Sequence, residues 1–494
     1  MELNLVTDAV NLPVGSTTHS FQIQEFRRPE FEAVTRTESA GPYVSARPAT
    51  VAVDANYYSG GPVASAPVDW QVTTAAAFYS PPGWSEYTFG VWTPWWIASS
   101  DAFDRGGPIY DEGGCCFPPS TPAEVEHFSG TTDASGTHYL QIDFEAQDGS
   151  FPDLPVTVSA EATVEDVNRQ AWSSTTSLLV HPANYYVGLR SARTFVRQGD
   201  PMDIEVVLTD VDGLAVAGRS VRVTAERLDS VFESGEWTEK AVDTQTCDVV
   251  SAAQSVVCSF TTSIGGTYRI ASTVTDDQGG RSRSEMSRWV SGGDSRPARA
   301  VEQESLTVIP DQASYRPGET AQLLVQSPFT PGEGLAIITR NGIEETHRFQ
   351  VVDGAAIVAI PIEDRDIPNL GVSIEVVGTA PRIGDDGVAL PEVAPRPAFA
   401  TGGLTLSVPP TSRTLAVTAT PRDTIVEPGG TTALDVTVRD AAGVAVPGAE
   451  LAVVVVDEAV LSLSDYALAD PLSVFYAELP TYVYTQYGRQ SIVL

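Results

Sequence analysis

Two stretches of this chain, 230 residues apart, spell out one strand–turn–strand unit, and that repeat restricts the fold more than any other feature. "VRQGDPMDIEVVLTDVDGLAVAGRSVRV" begins at Val196 and "VEPGGTTALDVTVRDAAGVAVPGAELAV" at Val426. Gly199, Asp210, Gly213, Ala215, Val216 and Gly218 of the first match Gly429, Asp440, Gly443, Ala445, Val446 and Gly448 of the second. In each, a Gly corner opens a strand that alternates toward an Asp, whose carboxylate can accept from nearby turn N–H groups. A Gly then supplies positive φ, and the chain returns with its valines inward. "YRPGETAQLLVQS" from Tyr315 supplies the opening strand of another copy, and "YYSGGPVASAPVDWQV" from Tyr57 the central turn of one more.

The opening corners at Gly199, Gly318 and Gly429 lie 119 and 111 residues apart, so each unit has the size of one sandwich of roughly seven strands. β-branched runs bounded by turn residues fill the rest of the chain ("VTVSAEATV", "GVSIEVVG"), and helical periodicity is hard to find. The expected class is all-β: tandem antiparallel β-sandwich domains of immunoglobulin-like or fibronectin-like type. The expected divisions are a remnant and linking strand at 1–28, sandwiches at 29–185, 186–301 and 302–410, and the first part of a further domain at 411–494. Within the first sandwich, about 78–122 forms an insertion rich in Trp, Tyr, Gly and Pro ("FGVWTPWWIASSDAF"), expected to pack on its own domain.

Charge narrows the partners. Against 64 acids stand 29 bases, a net −35, which repels nucleic acid and anionic membrane. Only Lys240 is a lysine; codon usage accounts for that most simply. No window of 18 apolar residues exists to span a membrane. Met1 opens without a basic and apolar leader, so a signal or lipid anchor of an exported protein is expected upstream.

Cys247 and Cys258 flank "DVVSAAQSVV", which reads as two short strands and a turn; a disulfide across that hairpin is expected, with an oxidising, extracytoplasmic setting. Cys115 and Cys116 are adjacent, leaving open a vicinal disulfide, two thiols, or a pairing outside the chain. Carboxylates are plentiful, yet no catalytic frame, phosphate loop or metal-type Cys/His spacing occurs, so no enzyme activity and no cofactor are expected. "DVDG" at Asp210 and "TDDQGG" at Thr275 resemble calcium loops but lack the twelve-residue pattern ending in Glu, and turn chemistry is the expected reading.

At "FQIQEFRRPEFEA", "VHPANYYVGLR", "SYRPGETAQLLVQSPF", "IPNLGVSIEVVG" and "VVVVDEAVLSLSDYALADPLSVFY" the chain resembles the bacterial alpha-2-macroglobulin family, in the family's order over nearly its whole length. The resemblance implies macroglobulin-type sandwiches and a scaffold role in a broad-spectrum protease trap, whose target endopeptidases act on the full-length protein. It also implies that "VVDEAVL" is a sheet strand of the domain interrupted by the bait region, with partners expected beyond Leu494. The thioester motif, a Cys followed two residues later by Glu-Gln, is absent. Arg489, the single base after Arg439, is the expected protease-accessible site. Two rivals share the repeat architecture: a tandem-sandwich surface stalk or adhesin, and an envelope module that partners proteins such as penicillin-binding proteins.

Overall fold

The computed structural model describes residues 2–7, 15–20, 30–96, 124–144, 152–233, 236–292, 304–382, 384, 389–427, 429–456, 470–480 and 483. These group into two compact units. The first comprises Met1–Phe78, Ser120–Asn184 and Asp276–Arg281; the second comprises Tyr79–Pro119, Tyr185–Thr275 and Ser282–Leu494.

In the first unit, β1 (Glu2–Thr7) and β2 (Gly15–Ser20) pair as an antiparallel ribbon. The sandwich that follows contains β3 (Phe31–Thr37), β4 (Tyr43–Val44), β5 (Ala49–Tyr57), β6 (Pro67–Ala76), β7 (Glu124–Thr131), β8 (Thr137–Ile142), β9 (Val156–Glu165) and β10 (Ala171–His181). A three-stranded sheet, β3-β5-β8, faces a five-stranded one, β4-β10-β9-β6-β7. Strand alternation decides which side chains enter: Val68, Trp70 and Val72 of β6 are buried, while Asp69 and Gln71 point to solvent.

The second unit repeats this plan twice. β11 (Tyr185–Arg190), β12 (Phe195–Val196), β13 (Met202–Asp210), β14 (Ser220–Glu233), β15 (Glu236–Val250), β16 (Val256–Phe260), β17 (Gly266–Thr275) and β18 (Arg281–Val290) form sheets β11-β13-β16 and β12-β18-β17-β14-β15. β19 (Glu304–Ser305), β20 (Thr307–Pro310), β21 (Thr320–Gln326), β22 (Gly332–Thr339), β23 (Ile343–Val351), β24 (Ala355–Pro361), β25 (Asn369–Ala380) and β26 (Arg396–Ser407) form β20-β21-β24 and β19-β26-β25-β22-β23. In all three sandwiches a two-residue strand pairs parallel with the last strand, against an otherwise antiparallel sheet. The fold is thus all-β, as the alternating sequence predicts. After the third sandwich, β27 (Ala416–Pro421) and β28 (Leu434–Arg439) make a two-stranded hairpin.

The insertion departs from expectation. Its described part, Tyr79–Trp96, lies in the second unit and packs along the second sandwich rather than on the domain that emits it. Thr88 and Leu189 exchange backbone hydrogen bonds of 2.8 and 3.0 Å. Gly90 N donates to Ser284 Oγ at 3.0 Å, and Trp92 N to Glu285 O at 2.8 Å. Tyr79 hydroxyl reaches Val211 O, and Trp84 Nε1 donates to Gly213 O at 2.8 Å. At Gly213 (φ +86°) a Cβ would stand 2.2 Å from Pro82 O, so the repeat's turn glycine also lets the insertion approach. Trp92, Trp96 and Trp289 then cluster at centroid distances of 5.5–6.1 Å. Trp96, Trp289 and Phe195 share one buried cluster with Leu306 and Ile309 of the third sandwich. The guanidinium of Arg288, pushed down to about 10 by burial, stacks over Trp92 at 5.0 Å. Cys115, Cys116 and the rest of the insertion lie outside the described residues.

Candidate functional site: the open copy of the repeat

The two full copies of the repeat share their turn chemistry. Asp210 Oδ1 accepts from Asp212 N (3.0 Å) and Leu214 N (2.8 Å); Asp440 Oδ1 accepts from Ala442 N (3.0 Å) and Val444 N (2.8 Å). Asp133, Asp166 and Asp276 make the same pair of bonds, to the second and fourth residues onward. The third residue onward always has positive φ: Gly136, Arg169, Gly213, Gly279 and Gly443. The carboxylates at Asp210 and Asp276 therefore satisfy turn N–H groups, in accord with the turn reading of "DVDG" and "TDDQGG". Among the described residues no group of three or more His, Cys, Asp or Glu is placed to hold a metal ion.

Burial separates the two copies. Val221, Val223 and Ala225, on β14, are 1, 0 and 0% exposed. Their counterparts Leu451, Val453 and Val455 are 46, 61 and 90% exposed, and residues 451–456 carry no sheet pairing. Leu434 and Val417, on the hairpin, are also exposed, and only Val438 of β28 is buried. The expectation that the valine run enters a core as a sheet strand is not met over Leu451–Val456; "DEAVLSL" lies outside the described residues, as does Arg489. β propensity reports how a residue fits a half-buried pleated surface, and among the described residues no strand pairs with this stretch.

Beyond it the chain is held again. A short helix, α1 (Pro471–Phe475), starts at Asp470, whose Oδ1 accepts from Leu472 N at 3.1 Å. Tyr476 packs against the third-sandwich core. Asn369 clamps Leu479 by both backbone groups: Nδ2 donates to its O at 2.9 Å, and Oδ1 accepts from its N at 2.8 Å. Sequence reading did not single out Asn369; its only signal is a lone Asn after "IP", at the head of a strand. The exposed residues 451–456 thus follow the Asp440 turn, and residues 470–480 are held by the Asn369 clamp. An exposed run such as 451–456 can be read by another strand or by an enzyme that takes its substrate extended.

Cys247 and Cys258 are joined, with Cα atoms 5.9 Å apart. The bond does not cross a hairpin. Cys247 sits on β15 of the five-stranded sheet and Cys258 on β16 of the three-stranded sheet, so it staples the two layers at their shared edge.

Residues 306–463 match the sequence model of the alpha-2-macroglobulin bait region domain, a span that takes in the third sandwich and the open copy. The chain is 23% identical over 483 residues to an alpha-2-macroglobulin homolog of Nostoc, covering 96% of this chain and 24% of that protein. It is 22% identical to circularly permutated Ras protein 2 of Dictyostelium discoideum, covering 93% of this chain and 12% of that protein. Among solved structures, the native conformation of Escherichia coli alpha-2-macroglobulin is 18% identical with a TM-score of 0.36, covering 94% of this chain and 28% of that one. Salmonella alpha-2-macroglobulin reacted with methylamine gives the same identity and TM-score, covering 97% and 30%. The chain thus spans about a quarter of the Nostoc relative's length. The bait-region match over residues 306–463 and the alignment with the Nostoc homolog over 96% of the chain both support the resemblance to the alpha-2-macroglobulin family.

Proposed function

We propose that this chain is a scaffold segment of a protease inhibitor that traps endopeptidases, and that the exposed residues 451–456 lead the attacking protease to its cleavage site. The observation that carries the reading is the unpaired, exposed state of residues 451–456 inside the bait-region match. A protease binds several residues in extended form, and a stretch already outside any ladder needs no unfolding to be bound. The rigid sandwiches hold that stretch out, and the missing Cys-x-Glu-Gln motif leaves covalent capture to another part of the full-length protein. On this reading the chain has no catalytic activity of its own. The Cys247–Cys258 bond and the strong net negative charge fit an extracytoplasmic setting.

Elastase, which cuts after small apolar residues, tests this with an intact-mass readout. The reading expects a first cut within or just after 451–456 and no SDS-resistant adduct. A chain cut first inside a sandwich, or not cut at all, would favour the surface-stalk alternative.

A further inference from the structure

Within the second unit, a cleft of about 460 Å³ opens where the second and third sandwiches join. This is inside the range of roughly 300 to 1,000 Å³ common for ligand sites. Its backbone is fixed from two sides. Thr194 N donates to Asp311 O at 3.3 Å and its hydroxyl to Pro310 O, while Trp289 N and Ser291 N donate to Thr194 O and Val196 O. Gly199 N donates to Thr262 O at 3.0 Å and Asp200 N to Arg197 O at 3.0 Å, which sets the turn after Arg197. Two exposed guanidiniums, Arg193 and Arg197, therefore line the cleft from a held segment.

Neither takes an ion-pair partner among the described residues, whereas Arg190, Arg222, Arg269 and Arg422 each hold a carboxylate. Among the described residues the lining thus combines two arginines that hold no carboxylate with two acids, Asp200 and Asp311. Asp311, also in the lining, is buried, and its Oδ1 already accepts from Tyr315 hydroxyl (2.8 Å) and Gln322 N (2.9 Å). The remaining polar groups are the exposed carboxylate of Asp200, the side-chain amides of Gln312 and Gln322, and the Thr320 hydroxyl; Phe195, Val196 and Ile357 supply apolar wall.

We infer that this cleft binds an acidic side chain of an extended peptide from a partner protein. The carboxylate lies against Arg193 and Arg197, which offer charge-assisted and bidentate hydrogen bonds. Asp200 accepts from a peptide N–H, and the two glutamine amides serve peptide carbonyl and N–H groups. The mixed lining favours a peptide over a small free anion. Phosphate would leave the amides and the apolar wall unused. The inference rests on the sandwich junction alone and stands apart from the reading of residues 451–456.

Fluorescence anisotropy with the whole chain and a labelled peptide Ac-Ala-Glu-Ala-Glu-Ala tests it. The peptide should bind, and its Gln counterpart should bind at least about tenfold more weakly, as loss of a charge-assisted bond requires. Arg193→Gln with Arg197→Gln should cost a similar factor, while Arg348→Gln, an exposed arginine elsewhere on the third sandwich, should change nothing. Far-UV circular dichroism checks that each variant is folded. Competition separates the ligand sources: inorganic phosphate should displace the labelled peptide only weakly. Absence of peptide binding, an unchanged affinity in the double arginine variant, or equal displacement by phosphate would overturn the inference.

Discussion

The copy of the repeat at 196–225 and the copy at 426–455 share their turn and differ in almost everything built on it. Both place Asp Oδ1 on the N–H groups two and four residues on, both carry positive-φ glycines at matching positions, and both close the turn with one backbone bond. That bond runs from Val216 N to Leu208 O at 2.8 Å in one and from Val446 N to Val438 O at 3.0 Å in the other. In the first copy the returning strand joins β17 and β15 and its valines are sealed in a core. In the second the returning residues 451–456 pair with no strand among the described residues. The turn is thus a property of about five residues, whereas a strand is a property of what lies beside it.

Substituting a charge at equivalent positions should break the symmetry most strongly. Val223→Asp buries an unpaired carboxylate and should cost about 4 kcal/mol or more, or prevent folding. Val453→Asp, at the matching exposed site, should stay within about 0.5 kcal/mol. Urea unfolding of both variants decides; equal losses would mean that residue 453 is buried in solution.

A second difference is covalent. The buried copy sits in a sandwich whose layers are joined by Cys247–Cys258, closing a loop of sequence separation 11. Reduction should lower the stability of that sandwich by about 3 kcal/mol in the chain-entropy model. It should leave cleavage at 451–456 unchanged, because the open copy has no part in the bond. Hydrogen exchange with and without reductant reads the first, and elastase digestion under the same two conditions reads the second.

Smaller effects should come from the turns. Asp210→Ala and Asp440→Ala each remove two accepted N–H bonds and should cost about 1 kcal/mol of local stability. A large loss at one and none at the other would refute a partner-independent turn.

The turn at Asp276 should add a pH dependence. Burial works to raise its carboxyl, but donors from Asn184, Gln278 and Gly280 outweigh this and hold it below the usual carboxylate range. A depressed folded-state pKa contributes stability above the ordinary value near about 4, and that contribution fades as pH falls through the folded value. Asp276→Asn should therefore flatten the acid limb of stability against pH. An unchanged limb would show that the carboxylate is not ionised there.

The turns and the all-β class were legible because each depends on a few adjacent residues: Asp, then Gly, between alternating runs. The Cys247–Cys258 pairing was legible from spacing, but its placement was not. Cys247 lies near the end of a 15-residue strand, Glu236–Val250, while Cys258 lies on a strand that pairs with Met202–Asp210 of the other sheet. The position of the insertion was hidden for a different reason. "FYSPPGWSEYTFGVWTPWW" has no period, and its partners Tyr186, Gly213 and Trp289 lie about a hundred residues or more away, where only the folded second sandwich presents them. The exposure of 451–456 was concealed by composition, since four consecutive valines read as a core strand when their neighbours are not in view.

Limited elastase digestion, read by intact mass, sets Val221–Ala225 against Val453–Val456 within one chain. The first cut should fall within or just after 453–456, at least about tenfold faster than any cut in 221–225, because the latter requires opening of a packed sandwich. Comparable rates at the two copies, or an earlier cut in 221–225, would contradict the exposure of residues 453–456.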